Sequence, residues 1–184
     1  SPVTTLEQME GKKVRATAAF GVLVKALGGT PVGITSSEIY EAMQRGQADC
    51  TAGSPAWLTS YTLKDVVKSI LDMPSGTYHG ALVFPMNVNT WRSLTADQRK
   101  AVIQAMPGLV TRIVYAYRKE SADAIAEAQA SGTGVSLDKP GADLVAKFAE
   151  HRKGELDRVV AKGTDDGVKD AQQLVSTFFD LVEK

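Results

Sequence analysis

The sequence predicts an α/β fold in which short parallel strands alternate with helices. Two β-favouring runs, Val14 to Thr17 and Pro31 to Ile34, flank a helical stretch from about Phe20 to Leu27. That helix stops at Gly28-Gly29, where a residue with positive φ commonly closes a helix. A strand, helix, strand, helix order within about forty residues favours a parallel sheet covered by helices.

Further helices are predicted around these strands. Leu6 to Glu10 predicts a short leading helix. Ser36 or Ser37 is expected to cap a helix with one apolar face, because serine favours the N-cap position. The three residues of that face follow helical spacing: Ile39, Ala42 and Met43. After a turn of small residues, Pro55 is expected at the first position of another helix.

The second half of the chain is predicted to be mostly helical. Its longest strand-like run is Tyr78 to Val88. Thr95 should cap a helical pattern that continues to about Ala130, and Pro107-Gly108 should kink or break it. Three elements are expected after it: a strand from Val135 to Leu137 and amphipathic helices over 143–161 and 166–182, separated by 162–164. Asp165-Asp166 would then favour the positive end of the second helix dipole.

Composition excludes several classes of protein. The 184 residues carry 21 basic and 21 acidic side chains, so the chain lacks the basic excess of a nucleic-acid-binding protein. No apolar run approaches the roughly 18 residues of a membrane span, so we expect a chain that is not itself membrane-embedded. Cys50 is the single cysteine, cannot form an internal disulfide, and is expected to be a small buried filler.

Arg15 is the one charge that interrupts the first predicted strand. An arginine at the mouth of a parallel sheet is costly to desolvate unless an anion meets it. Its planar fork of N–H donors fits a carboxylate through two parallel hydrogen bonds. The alternative is a surface arginine paired with a neighbouring acid such as Glu10.

Several motifs resemble those of one known family. They are Gly-Lys-Lys-Val-Arg at 11–15, Leu-Gly-Gly-Thr-Pro-Val at 27–32, Ser-Glu-Ile-Tyr-Glu-Ala-Met-Gln at 37–44, Gly-Gln-Ala-Asp at 46–49, and the run from Asn89 to Val102. Together they resemble the solute-binding proteins of TRAP transporters, the DctP-like periplasmic receptors for organic acids. The resemblance implies a periplasmic-binding-protein-like α/β lobe with a crossing strand over residues 1–88. A long kinked helix and C-terminal helices packing on the lobes would follow over 89–184.

Members of that family have two lobes, and this chain opens near the crossover into the second. We therefore expect it to be the C-terminal portion of a longer receptor that lacks most of the first lobe. The resemblance implies a periplasmic, non-enzymatic receptor that takes a small organic acid and delivers it to TRAP membrane subunits. It implies no cofactor or metal, and it makes the long helix a candidate homodimer interface.

The resemblance also implies a set of binding residues. Arg15 matches the family arginine that clamps the ligand carboxylate. Gly53 and Ser54 stand where many relatives carry Glu-Asn-Pro, and would either cradle an anion at a helix start or simply cap the helix. Trp57 is either an aromatic wall of the cleft or part of the core. Ser36 stands where some relatives have a bulky aromatic residue, and it is either a cleft residue or only an N-cap. Tyr78 and His79 stand near the family hinge and are the last two candidates.

Two other functions remain open from the sequence. An α/β enzyme could use Arg15 to hold a small carboxylate substrate, with His79, Cys50 or Asp49 as acid, base or nucleophile. However, the sequence contains no nucleophile elbow, zinc-protease pair or P-loop, so no catalytic residue is predicted. The second alternative is a helical interaction module that packs against a partner through the region from Ala96 onward.

Overall fold

The computed structural model describes residues 2–17, 19–73 and 84–182. Within these ranges the chain forms eight α-helices and five short strands, with 3₁₀ turns at Ser36–Glu38 and Leu63–Asp65. The order is α1 (Leu6–Met9), β1 (Lys13–Arg15), α2 (Ala19–Ala26), β2 (Thr30–Val32), α3 (Ile39–Gln44), β3 (Cys50–Thr51), α4 (Trp57–Ser60), β4 (Ser69–Leu71), α5 (Val88–Ser93), α6 (Ala96–Ala130), β5 (Ser136–Asp138), α7 (Ala142–Asp165) and α8 (Ala171–Val182).

The described strands are all parallel, as the sequence predicted. β1 lies between β2 and β3, and Arg15 stands opposite Val32 on one side and Thr51 on the other. β4 and β5 form a separate two-stranded parallel pair. The predicted α/β class is confirmed, including the strand expected near Val135 and the turn at Gly28, whose φ is +88°.

The two faces of the three-stranded sheet meet different surroundings. Val14 belongs to a core cluster that includes Leu23 and Val24 of α2 and Leu144 of α7. A second cluster joins α3 and α4 to the C-terminal end of α6, through Ile39, Leu58, Leu63, Ala124 and Ala128. Because successive strand residues point to opposite faces, Arg15 projects away from the first core.

α6 is a continuous helix of 35 residues, so of the kink or break expected at Pro107-Gly108, the break is wrong. Its start is as predicted, since Thr95 and Gln98 form a reciprocal capping box. Proline removes one backbone donor, which leaves the carbonyl of Ile103 without its helical partner. The Ile103 side chain is 60% exposed, so water can reach this stretch and one missing hydrogen bond does not end the helix.

Other predicted boundaries also need correction. Val88 opens α5 instead of ending a strand, because the Asn87 side chain accepts a hydrogen bond from the Asn89 N–H and caps the helix. Residues 84–87 of that predicted strand form no strand either, and residues 78–83 lie outside the described residues. α4 begins at Trp57, two residues after the predicted Pro55 start.

The last two helices are divided later than predicted. α7 runs through residues 162–164 to Asp165, so Asp165 and Asp166 lie at a helix C-terminus and not at the start of α8. This is the unfavourable end of the dipole for an acid. Lys162, one turn earlier, offsets that charge through a 2.8 Å ion pair with Asp166.

Residues 84–123 contain no buried side chain; the first buried residue of α6 is Ala124. Eight large apolar side chains in this region are exposed: Phe84, Met86, Val88, Ile103, Val110, Val114, Tyr115 and Tyr117. No helix in the described part of the chain is both long and apolar enough to cross a membrane.

Asp143 fastens the N-terminal segment to α7. Its Oδ2 accepts a 2.8 Å hydrogen bond from the Leu6 N–H, and the Gly141 N–H donates to the Thr4 carbonyl beside it. The bond from Leu6 is the main reason that the pKa of Asp143 lies below its ordinary value. A lowered pKa in the folded state means that ionised Asp143 stabilises the fold.

We expect Asp143→Asn to lower the Tm at pH 7, because the amide is a weaker acceptor for the Leu6 N–H. The wild-type advantage should be fully present above the unfolded-state pKa, about 3.9 for aspartate. It should disappear as the pH falls through the lower pKa of the folded state. Thermal unfolding across this pH range measures it, with the exposed Asp157→Asn on the same helix as control. A Tm difference that does not depend on pH would contradict the assignment.

Candidate functional site

Arg15 lies at the carboxyl end of the central strand and is only 4% exposed. It is the only charged side chain that is fully buried among the described residues. Ligands of open α/β sheets bind outside the carboxyl ends of the strands, which is where this guanidinium sits. The position therefore combines a buried cation with the usual binding edge of the fold.

Arg15 is held by neutral groups. Its Nε donates to the Ile34 carbonyl at 2.8 Å, and its Nη2 donates to the Ser36 hydroxyl at 3.2 Å. Among the described residues no carboxylate lies within ion-pair distance, so pairing with Glu10 is wrong. A guanidinium has five N–H donors, and two are used here. The other three N–H donors have no acceptor among the described residues, and a bidentate carboxylate needs only two of them.

Trp57 supports the guanidinium from one side. The Arg15 guanidinium carbon lies 5.3 Å from the centre of the tryptophan ring, within the range of a cation–π contact. Tyr61 meets the same ring edge-on at 5.4 Å between centroids. A Cβ on Gly53 would lie 2.3 Å from Trp57 Cε3, so only glycine leaves room for the ring. The role of Gly53 in this structure is therefore to leave space for the Trp57 ring.

The two candidate serines have different partners. The Ser36 hydroxyl accepts from Arg15 and does not cap a helix. The Ser54 hydroxyl accepts from the Ala56 N–H at 3.3 Å and lies 3.3 Å from the Ser121 hydroxyl of α6. The structure thus brings Ser36, Gly53 and Trp57 together around Arg15, with Ser54 next to them. Tyr78 and His79 lie outside the described residues.

The support of the site is tied to the long helix. Leu58 of α4 packs with Ala124 and Ala128, whose small side chains allow a close approach. Lys64 forms a 2.8 Å ion pair with Glu127, and the pKa of that carboxyl is lowered chiefly by its hydrogen bond from Lys64. The helix that carries Trp57 is therefore held against α6.

The sequence reasoning missed two groups. The Ile34 carbonyl is a backbone acceptor, and no side-chain pattern could have revealed it. Thr51 is the register partner of Arg15 on β3, so the two side chains lie on the same face of the sheet. Its hydroxyl oxygen is buried and has no hydrogen-bond partner among the described residues. Thr51 was expected in a turn of small residues, so neither β3 nor its alignment with Arg15 was predicted.

Two of the three residues considered for catalysis, Cys50 and Asp49, can be placed, and neither is arranged as a catalytic group. Burial is the main cause, and Asp49 a second, of the raised pKa of the Cys50 thiol, which keeps it protonated and weakly nucleophilic. Cys50 is half-buried and packs against the first core cluster, as a filler would. The Asp49 carboxylate accepts from the Lys13 N–H at 2.8 Å. The described residues include no cluster suited to a metal ion.

Residues 1–162 match the family DctP, described as bacterial extracellular solute-binding protein, family 7. A protein named solute-binding protein from Albidiferax ferrireducens is 27% identical over 136 residues, covering 73% of this chain and 40% of the relative. The chain thus spans less than half the length of that relative.

Solved structures share the fold at lower identity. A TRAP periplasmic solute-binding protein from Bordetella bronchiseptica, with bound (R)- and (S)-mandelate, has a TM-score of 0.76 at 20% identity, over 96% of this chain and 56% of its own. One from Rhodoferax ferrireducens with bound malonate has a TM-score of 0.72 at 22% identity, over 97% and 58%. The short parallel strands and long helices are therefore those of this fold.

We expect Gly53→Ala to destabilise the protein by roughly 1–3 kcal/mol, as overpacking does, because the added methyl group collides with the Trp57 ring. Urea denaturation measures the loss. Gly33→Ala is the matched control, since a Cβ there meets nothing within 4 Å and its φ is not positive. Equal stability of the two variants would show that Gly53 does not position Trp57.

Proposed function

Because the chain belongs to the bacterial extracellular solute-binding proteins of family 7, we propose that it forms the carboxylate-binding part of a periplasmic TRAP-transporter receptor. The receptor captures a small organic acid and delivers it to the membrane subunits. The observation that carries this proposal is the buried Arg15 guanidinium, which no carboxylate neutralises among the described residues.

The energetics of that cation favour an anionic ligand. Removing a charge from water costs several kcal/mol even in a relaxed protein. The Ile34 carbonyl, the Ser36 hydroxyl and the Trp57 ring offset part of this penalty but carry no net negative charge. A ligand carboxylate supplies the missing charge and forms charge-assisted hydrogen bonds, which are about twice as strong as neutral ones. Binding is thus coupled to neutralisation of Arg15.

The ligands of the similar structures fit this chemistry. Mandelate and malonate, bound in the Bordetella and Rhodoferax proteins, both carry carboxylate groups. They share that group and differ in the remainder, so the common feature is the one that Arg15 would bind. These two acids are therefore suitable first probes for this protein.

In this proposal residues 1–88 form the ligand-binding lobe, and 89–184 form the long helix and the helices that pack on the lobes. The exposed apolar side chains between Phe84 and Tyr117 are then covered in the intact receptor, because an uncovered apolar surface of this extent marks an interaction site. A homodimer through the long helix would be one way to cover the α6 part of this surface.

We expect Arg15→Met to weaken binding of mandelate or malonate by roughly 30-fold to several-thousand-fold, the range for truncating one partner of a buried charge pair. Arg15→Lys should also bind about tenfold or more weakly, because an ammonium cannot reproduce the planar fork. Arg15→Met should not lower the Tm of the ligand-free protein, since a buried unpaired charge is replaced by an apolar chain.

Isothermal titration calorimetry on the intact protein measures these affinities, and thermal unfolding measures the Tm. Arg45→Met is the matched control, because Arg45 is exposed and pairs with Glu41 away from the sheet edge. Unchanged affinity in both Arg15 variants would refute the proposed binding site.

A further inference from the structure

We infer that Thr51 is a second binding residue of the Arg15 site, and that its hydroxyl donates to the carboxylate that Arg15 holds. This inference rests on the proposed function. It adds a group that neither the motifs nor the similar proteins pointed to. Three observations carry it: the register of the sheet, the missing partner of the hydroxyl, and the number of free donors on Arg15.

The register places the two side chains side by side. Thr51 is the last residue of β3 and stands directly opposite Arg15, the last residue of β1. Opposite residues in neighbouring strands point to the same face of the sheet and are close enough for their side chains to share a small ligand. An anion that reaches Arg15 is therefore also beside Thr51.

The Thr51 hydroxyl lacks a hydrogen-bond partner among the described residues. Its oxygen is buried. Buried polar groups nearly always have a partner, so an exception calls for an explanation. Arg15 does not explain the missing partner, because its guanidinium offers only donors and makes no hydrogen bond to Thr51. The group that fits is an acceptor that arrives from outside the protein.

A carboxylate matches the donors that this corner of the sheet leaves open. It has two oxygens with about four acceptor positions, more than a bidentate contact with Arg15 uses. Thr51 as a whole is only half-buried although its hydroxyl is covered. A rotation about χ1 to another staggered position would turn the hydroxyl toward the ligand. The hydroxyl then gains an acceptor, and the carboxylate gains a further donor.

The experiment compares Thr51→Val with Thr51→Ser in the intact protein, with mandelate and malonate as the probes. Thr51→Val replaces the hydroxyl by a methyl group, and should weaken binding of both acids by about 10- to 100-fold, as expected for a hydrogen bond to a charged group. Thr51→Ser keeps the donor and should bind much as wild type does. Thr30→Val on the edge strand β2, where Thr30 is exposed, is the matched control.

Stability separates a binding role from a structural one. The Tm of ligand-free Thr51→Val should equal or exceed that of wild type, because the substitution removes an unsatisfied buried hydroxyl. A lower Tm with unchanged affinity would overturn the inference. A loss for only one of the two acids would also overturn it, since the hydroxyl would then contact the remainder of that acid and not the shared carboxylate.

The Arg15 variants distinguish this inference from the proposed function. If wild type binds both acids, Arg15→Met does not, and Thr51→Val binds as wild type does, then the receptor assignment stands and the inference about Thr51 fails. If wild type binds neither acid at millimolar concentration, the carboxylate site itself fails, and the inference fails with it.

Discussion

The site depends on one energetic cost, the burial of a guanidinium whose charge the described protein groups do not neutralise. Arg15 is held by a carbonyl, a hydroxyl and an aromatic ring, all of which fix its orientation without cancelling its charge. In the proposed receptor, such an arrangement would lower the stability of the ligand-free state and would leave the cation oriented for an anion. Ile34, Ser36 and Trp57 thus share one structural role, which is to hold the Arg15 guanidinium in place.

The strand period makes this arrangement compatible with a stable core. Val14 faces the apolar cluster formed with α2 and α7, and the next residue, Arg15, faces the candidate site. Core and site therefore lie on opposite sides of a strand only three residues long. On the site side, α4 is held against the end of α6 by Leu58, Ala124 and Ala128, so the ring beneath Arg15 is anchored to the longest helix.

Local sequence signals predicted the elements whose stability is local. The glycine turn after α2, the N-cap at Thr95 and the alternation of short strands and helices were all predicted, because each depends on residues close together in the chain. The predicted helix boundaries were wrong where solvent exposure or a neighbouring charge decides whether a helix continues. Pro107 lies within a continuous helix because its surroundings are open to water, and α7 runs past the expected boundary because the pairing of Lys162 with Asp166 accommodates an acidic helix end.

The sequence by itself determined the fold class and the parallel strands, and it marked Arg15 as the one charge inside the first predicted strand. Only the tertiary structure decided what surrounds it. The Ile34 carbonyl is invisible in a sequence, the space at Gly53 is defined by the Trp57 ring, and Thr51 becomes a neighbour of Arg15 through a register spanning 36 residues. Hydrogen bonds and steric fit between distant segments follow from packing, which no local pattern encodes.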